Sequence, residues 1–229
     1  MFHHQGKNRT LKHNMALASL LAFVAGLVNV AGFLSVQKLT TNVTGHFAYF
    51  IDEIFKLQFL NGFIYFLYIF FFFLGSFISS FLVEIVSKRN KNYVFIVPVI
   101  FESLILYIIT FSGMQFASNC SNVIAFSLLF AMGLQNSLVT VISNAAVRTT
   151  HLTGLFTDLG IELSQLFFYK HAKQKQKLVS SIKLRLTIIC TFFIGGILGA
   201  ILYNPLGLAV LSIPATMLIL GIYIDSRKW

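Results

Sequence analysis

Six apolar runs dominate this chain, and each is long enough to cross a lipid bilayer as a helix. About 20 apolar residues are enough to span the hydrocarbon core. In approximate residue numbers, the runs cover 15–36, 60–86, 93–112, 122–143, 184–203 and 206–225. Only 10% of the 229 residues are charged, whereas a soluble domain usually has about 25%. The pattern predicts an all-α integral membrane protein with six transmembrane helices.

The positions of the basic residues predict the orientation of these helices. If the N-terminus is cytoplasmic, every Lys and Arg except Lys38 and Lys56 falls on the cytoplasmic side. Cytoplasmic loops carry the excess of Lys and Arg in membrane proteins. Both termini are therefore expected in the cytoplasm, with the chain integral to the bacterial cytoplasmic membrane. The formal net charge of +10 arises in short connecting segments, so we expect the lipid bilayer and no nucleic acid as a partner.

Two copies of a motif pair divide the chain into halves. The first run contains GLVN at 26–29 and is followed by TTNVTG at 40–45. The fourth run contains GLQN at 133–136 and is followed by TTHLTG at 149–154. We call the TTNVTG and TTHLTG segments the first and second threonine motifs. The two pairs align with a two-residue insertion, which indicates an internal duplication.

Further matches extend the duplication through both halves. Glu53 matches Glu162 just beyond the motifs, and Gly75 and Ser79 of the second run match Gly195 and Gly199 of the fifth. Small residues four apart allow helices to pack closely. Pro98 of the third run matches Pro214 of the sixth, and we expect each proline to kink its helix.

Three spans per half is an odd number, so the second half must enter the membrane upside down. The predicted fold is a 3+3 inverted-topology repeat with short re-entrant or interfacial helices after spans one and four. Its parts are a cytoplasmic basic N-terminal tail, a first three-helix repeat, an extracytoplasmic connection, a second three-helix repeat and a cytoplasmic C-terminal tail. In the same order they cover 1–14, 15–112, 113–121, 122–225 and 226–229.

These motifs give the chain a family resemblance. GLVN followed by TTNVTG, and GLQN followed by TTHLTG, resemble the YoaK-like family of small bacterial membrane proteins of unknown function. The resemblance covers most of the chain and implies a fold and a topology, but no activity. The family pattern often has an acid where Asn29 stands and an Asn where His46 stands. A proton-relay role is therefore not transferred to Asn29.

The threonine motifs are the strongest candidates for a binding site. Thr is a common helix N-cap and Gly permits close approach, so each motif is expected to start a short helix after Thr44 or Thr153. Helix N-termini attract anions and other acceptors. The alternative is a capped loop at the membrane interface that repeats only because the fold was duplicated. The candidate residues in the motifs are Thr40, Thr41, Thr44, Gly45, Thr149, Thr150, Thr153 and Gly154.

Four polar residues inside the apolar runs complete the candidate site. Asn29 and Asn136 occupy matching places, and Gln135 precedes Asn136. Amides in a membrane either contact a solute or bond another helix. Glu102 lies near the middle of the third run, where carboxylates often mark ion or proton paths. A neutral Glu102 bonded to a neighbouring helix is the alternative, and its counterpart is the apolar Leu218.

Inverted repeats are typical of secondary transporters, whose binding sites lie between the halves. The leading hypothesis is a small secondary transporter or permease for a small polar or anionic solute, with proton coupling through Glu102 as a further hypothesis. The alternative is a nontransporting membrane scaffold or accessory subunit. We predict no enzyme activity, because no His, Asp, Glu or Cys cluster has catalytic spacing. No metal or cofactor is expected, and homo-oligomerisation is left open.

Overall fold

The computed structural model describes residues 10–89, 94–169 and 171–226, and the described part of the chain is helical throughout. Helices α1 to α4 form the first half and helices α5 to α8 the second. A 3₁₀ segment, Gly207–Leu211, joins the last two helices. The bounds, in order, are Leu11–Val36, Val43–Phe55, Phe59–Arg89, Ile96–Asn119, Ser121–Ser143, Leu152–Gln165, Ala172–Leu206 and Ser212–Ser226.

The long helices carry apolar side chains on the outside as well as the inside. In the part of the chain that the structure describes, five helical stretches are long and apolar enough to cross a membrane, and the last runs from Ala172 to Ser226. On α3, Phe73, Phe77 and Phe81 are 54–60% exposed. Helices that are apolar all round are stable in lipid and not in water. The composition and the exposed surface agree on an all-α membrane protein.

Two helix crossings without intervening side chains form the centre of the molecule. Helix α1 packs along α7, and α3 packs along α5. A Cβ added at Gly26 would lie 2.0 Å from the backbone oxygen of Phe192, and one added at Gly195 would lie 2.2 Å from that of Phe23. Such close approach requires glycine on both helices. Gly195 faces Phe23, and Gly199, about one turn further along α7, faces Leu27, about one turn further along α1, so the two helices run parallel.

The α3–α5 crossing has the same geometry and also joins one helix of each half. A Cβ added at Gly133 would lie 2.2 Å from the Phe72 oxygen, and one added at Gly75 would lie 2.1 Å from the Phe130 oxygen. Helices α1 and α5 are antiparallel. Gln135 Nε2 donates to the Leu21 oxygen at 2.8 Å, whereas a Cβ on Gly32, further along α1, would meet Leu128, earlier in α5. The close packing predicted for the small residues is confirmed.

The two matched prolines occupy a different place from the predicted one. Pro98 and Pro214 are each the third residue of a helix, in α4 and α8. A proline in the first turn removes no intrahelical hydrogen bond, so the predicted kinks at these residues are wrong. The bend in α4 lies at Gly113, whose φ of 77° is left-handed. Pro205 and Gly207, whose φ is 55°, stand instead where α7 ends.

Two predicted boundaries also differ from the structure. Helix α4 continues beyond 112 to Asn119, so only Cys120 separates it from α5. Helix α7 begins at Ala172, well before the apolar run at 184, because the Lys-rich segment is itself helical.

The predicted tails at 1–14 and 226–229 lie mostly outside the described residues. So do several basic residues behind the predicted orientation: Lys7, Arg9, Lys91, Lys170, Arg227 and Lys228.

Candidate functional site

Each threonine motif folds back to bond the asparagine of the preceding helix. Thr41 Oγ1 donates to Asn29 Oδ1 at 2.7 Å. In the second half, Thr150 Oγ1 donates to Asn136 Oδ1 at 2.9 Å. Each asparagine lies about two turns before the end of its helix. Both motifs therefore return along the helix that they follow.

A short helix begins inside each motif. Helix α2 begins at Val43, and the Asn42 side chain accepts a hydrogen bond from the Gly45 backbone N–H at 2.9 Å. Helix α6 begins at Leu152 after His151, which makes no side-chain capping bond. The predicted threonine caps are wrong, because Thr44 and Thr153 lie within the first turns. The predicted short helices are present, and each starts two residues earlier than expected.

Both motifs line a single cavity of about 780 Å³, which we call the motif cavity. Asn29 and two matched phenylalanines, Phe72 of α3 and Phe192 of α7, form part of its wall. Residues of the two threonine motifs, with Leu39 and Ala48, form the rest. The described residues lining it carry no Asp, Glu, Lys or Arg, and His151 is the one titratable group among them. The full lining is Asn29, Leu39, Thr41, Asn42, Val43, Thr44, Gly45, Ala48, Phe72, Thr150, His151, Leu152, Thr153 and Phe192.

The chemistry of this cavity suits a small polar or anionic molecule. Backbone N–H groups in the first turn of a helix have no intrahelical partner, and both short helices begin at the cavity. Their dipoles also favour negative charge there. Threonine hydroxyls and asparagine amides offer donors and acceptors, while the two phenylalanines supply apolar surface.

Six of the predicted site residues line the motif cavity, and the other six do not. Those in the lining are Asn29, Thr41, Thr44, Gly45, Thr150 and Thr153. Thr40, Gln135, Asn136, Thr149, Gly154 and Glu102 lie elsewhere. The sequence pattern could not separate the two groups, since adjacent threonines such as Thr40 and Thr41 look alike.

Buried polar residues support the second motif from behind. Thr149 is fully buried, and Gln135 Nε2 donates to its Oγ1 at 3.2 Å as well as to the Leu21 oxygen. Thr149 Oγ1 donates in turn toward Asn136 Oδ1 at 3.5 Å. Gln135 thus ties α5, the second motif and α1 together. Of the two roles expected for an amide in the membrane, solute contact and a bond to another helix, Gln135 has the second.

The first motif is held by a shorter set of contacts. Thr40 is also fully buried, and its Oγ1 donates to the backbone oxygen of Asn29 at 3.5 Å. A Cβ added at Gly32 would overlap the Thr40 side chain, so glycine is needed where the motif returns along α1. In the second motif Gly154 lies against the His151 ring.

Asn42, Phe72 and Phe192 were missed as cavity residues. Asn42 lies inside the first threonine motif, between the predicted site residues Thr41 and Thr44. Phe72 and Phe192 have the same separation along the chain as the matched glycines Gly75 and Gly195, so the repeat alignment contained a signal for them.

Glu102 stands apart from the cavity. Its side chain is fully buried in α4, and neither carboxyl oxygen has a hydrogen-bond partner among the described residues. An unpaired charge is costly in such a place, so the neutral acid is the stable form. The structure does not bring Glu102 together with the motif residues.

His46 fixes the start of α2 beside the first motif. Its Nε2 donates to the Leu39 oxygen at 2.5 Å, whereas Nδ1 has no hydrogen-bond partner among the residues that the structure describes. The ring packs against Tyr68 with centroids 4.5 Å apart. Burial lowers the pKa of His46 below 6.5, and Lys38 lowers it further against the raising effect of the Leu39 bond. The ring is therefore neutral at pH 7.

Acidification is expected to destabilise the fold through His46. The unfolded chain takes up a proton near pH 6.5, while the folded chain takes it up only at a lower pH because its pKa is lowered. The unfolded state then binds more protons between these values, so stability falls as the pH drops from 7.5 through 6. Thermal unfolding of purified protein at several pH values measures this. The same series on His46→Gln should show a smaller pH dependence, and equal slopes would contradict the assignment.

Comparisons with known proteins place the chain in a family. No solved structure matches it. The UPF0700 transmembrane protein YoaK of Bacillus subtilis (strain 168) is 24% identical over 212 residues, covering 92% of this chain and 93% of that protein. The relative is a transmembrane protein, which agrees with the apolar helices found here. The model of a family described as "Protein of unknown function (DUF1275)" matches residues 17–224. The chain therefore belongs to the DUF1275 family, a YoaK-like family of membrane proteins.

Proposed function

We propose that this protein is a small secondary transporter or permease that binds a small polar or anionic solute in the motif cavity. The observation that carries the proposal is the cavity itself. Residues of both threonine motifs line it, although the motifs lie in different halves of the chain. Binding sites between repeats are typical of secondary transporters.

The proposal includes six spans: α1, α3, α4, α5, α7 and α8. The stretch from Ala172 to Ser226 has 55 residues, whereas about 20 are enough for one crossing. It breaks at Gly207–Leu211. Tyr107 and Thr216 are hydrogen-bonded, while Met114 lies against Gly207, so α8 runs antiparallel to α4. These contacts support a reversal of the chain between α7 and α8.

The proposal also includes the 3+3 inverted repeat. Gly26 packs on Phe192 as Gly133 packs on Phe72, and Gly195 packs on Phe23 as Gly75 packs on Phe130. Each contact in the α1–α7 crossing therefore has a counterpart in the α3–α5 crossing, made by the residues at the matched positions of the repeat. The antiparallel arrangement of α1 and α5 supports opposite orientations of the two halves. Such symmetry would let exchange of the two half-conformations open the cavity to alternate sides.

The remaining parts of the proposal follow from the basic residues and the cavity lining. Both termini lie in the cytoplasm, and the first and second threonine motifs enter the membrane from the outer and inner sides. The protein is not an enzyme and needs no cofactor or metal. Its partners are lipid and a small solute, with no nucleic acid. Homo-oligomerisation stays open, and proton coupling through the buried Glu102 is a secondary hypothesis.

A flux assay in proteoliposomes tests transport directly. Uptake of small carboxylates, phosphate, amino acids and polyols would be measured with and without a pH gradient, against protein-free vesicles. We expect uptake of at least one solute. Lack of uptake across the whole panel by monodisperse protein would favour the alternative, a nontransporting scaffold or accessory subunit.

Variants of the motif threonines then assign the flux to the cavity. Thr41→Val with Thr150→Val removes both hydroxyls that orient the asparagines, and each lost bond costs about 1–3 kcal/mol. Flux should fall by about tenfold or more, since 1.4 kcal/mol corresponds to a factor of ten. Thr157→Val is the matched control, because this hydroxyl bonds only within α6 and lies outside the cavity lining. An equal loss in the control would contradict the assignment.

A further inference from the structure

Two more polar cavities flank the motif cavity at positions related by the repeat. One has about 420 Å³ and lies beside α6 and α7, with Arg148, Ser181, Leu184 and Arg185 in its wall. We call it the arginine cavity. The other has about 360 Å³ and lies beside α2 and α3. We call it the lysine cavity, and its wall includes Lys38, Glu53, Asn61, Ile64 and Tyr65.

Three wall residues of the lysine cavity match three wall residues of the arginine cavity. Asn61 matches Ser181, Ile64 matches Leu184 and Tyr65 matches Arg185, with the same separation along the chain as Gly75 and Gly195. A pair of cavities at equivalent places in two halves follows from the duplicated fold. In the proposed topology the arginine cavity lies on the cytoplasmic side and the lysine cavity on the outer side.

The wall of the arginine cavity holds two arginines and one aspartate, Asp158, and Arg148 has no ionic partner among the described residues. Arg185 is paired with both Asp158 at 2.8 Å and Glu162 at 2.9 Å, and Ser181 Oγ donates to Glu162 at 2.6 Å. Arg148 is exposed and has no ion pair or hydrogen bond from its side chain within the described residues. An unpaired guanidinium on a cavity wall attracts carboxylates and phosphates.

The lysine cavity has a different balance of charge. Lys38 lies over the Tyr65 ring, with Nζ 5.9 Å from the centroid, and Glu53 contributes a carboxylate to the same wall. Its wall holds one base and one acid, whereas the wall of the arginine cavity holds two bases and one acid, so the arginine cavity favours anions more.

The two flanking cavities also differ in their connection to the motif cavity. His151 lines both the arginine cavity and the motif cavity, so the two spaces share this side chain as a common border. No described residue lines both the lysine cavity and the motif cavity. Between them lie Leu39 and His46, which are joined by the His46 Nε2 bond to the Leu39 oxygen.

We propose that the arginine cavity is the vestibule through which an anionic solute reaches the motif cavity, passing His151. The structure then represents the state that is accessible from the α6 side and closed on the α2 side. This inference rests on the proposed function and narrows its solute to anions. Arg148 attracts the anion, and the first turns of α2 and α6 receive it.

Cysteine accessibility tests the vestibule without requiring transport. In a Cys120→Ser, Cys190→Ala background, Thr153→Cys places one thiol in the motif cavity. It would be modified in oriented membrane vesicles with methanethiosulfonates that carry either a sulfonate or a trimethylammonium group. Modification is expected from the cytoplasmic side only. Equal rates from both sides, or no modification by either reagent, would overturn the proposed state.

The charge preference tests the role of Arg148. The ratio of sulfonate to trimethylammonium rates should fall by about three- to tenfold in Arg148→Gln, because a fixed charge at a cavity mouth raises the local concentration of oppositely charged reagents. Lys173→Gln is the control, since Lys173 is exposed on α7 outside the cavity, and its ratio should not change. An unchanged ratio in Arg148→Gln would overturn the vestibule.

The salt dependence of the modification rates tests the electrostatic role of the vestibule without the Arg148→Gln variant, so the result does not depend on how that variant folds. In the Thr153→Cys protein with Arg148 intact, high salt should reduce the sulfonate preference through screening. A ratio that is insensitive to salt would contradict an electrostatic vestibule. Modification rates do not depend on flux, so absence of transport and absence of a vestibule give separate results.

Discussion

Gly26→Ala is expected to lower the free energy of unfolding by about 1–3 kcal/mol or more, the range seen when a tightly packed site is overfilled. The new methyl carbon would lie 2.0 Å from the Phe192 oxygen, 2.8 Å from its carbonyl carbon and 3.1 Å from the Gly196 nitrogen. All three atoms belong to the backbone of α7, so no side chain can move away. Helices α1 and α7 must separate, and the close packing that stabilises helices in lipid is lost.

Gly160→Ala provides the matched control for this prediction. Gly160 lies in α6, and a Cβ added there meets nothing within 4 Å. Alanine at such a helical position is expected to stabilise by about 0.4–1 kcal/mol, because it restricts the unfolded chain. Thermal unfolding in detergent would compare both variants with the parent protein. A Gly26→Ala protein as stable as Gly160→Ala would contradict the crossing.

The second half offers an internal replicate. Gly133→Ala places its Cβ 2.2 Å from the Phe72 oxygen and 3.0 Å from the Ser76 nitrogen. Its loss of stability should resemble that of Gly26→Ala, because the two crossings have the same geometry. A large loss in one variant and none in the other would contradict the equivalence of the halves.

Much of this architecture could be predicted from the sequence because lipid imposes simple rules. Apolar length predicts the helices, and Gly75 and Gly195 mark the crossings, because only small residues allow backbones to touch. The repeated threonine motifs located the cavity, since matched asparagines and threonines occur together in both halves.

The failures have local physical causes. Pro98 and Pro214 lie in first turns, where proline fits the helix, and sequence position inside an apolar run could not distinguish this from a kink. Gly113, with a φ of 77°, kinks α4 without ending it, and the helical stretch beyond Gly113 lies in the segment predicted as a connection. The Lys-rich start of α7 is not apolar, and hydropathy alone gave no signal for it.

Only six of the twelve predicted site residues line the motif cavity, and the cause is again local backbone conformation. Thr40 and Thr41 point to different surroundings, one to the core and one to the cavity. The turn between α1 and α2 decides which is which, and no periodicity applies to such a turn. His151 was not among the predicted site residues, because a lone histidine is more often a hydrogen-bonding residue than part of a binding site.

The central feature of the molecule is one cavity that is lined by threonine motifs from both halves. Crosslinking between the two motifs tests most directly whether they line the same cavity. Thr44→Cys and Thr153→Cys, in the Cys120→Ser, Cys190→Ala background, place one thiol from each half in the cavity lining. A protease site inserted between α3 and α4 separates the two cysteines on a gel after cleavage. Ser164→Cys replaces Thr153→Cys in the control, because residue 164 is about 16 Å further along α6.

A short bifunctional methanethiosulfonate should join the fragments efficiently in the Thr44/Thr153 protein and far less in the Thr44/Ser164 control. That result would place the two motifs on one space within a single chain. Efficient modification of both cysteines with no joined fragments would contradict the shared cavity, and so would equal crosslinking in the control.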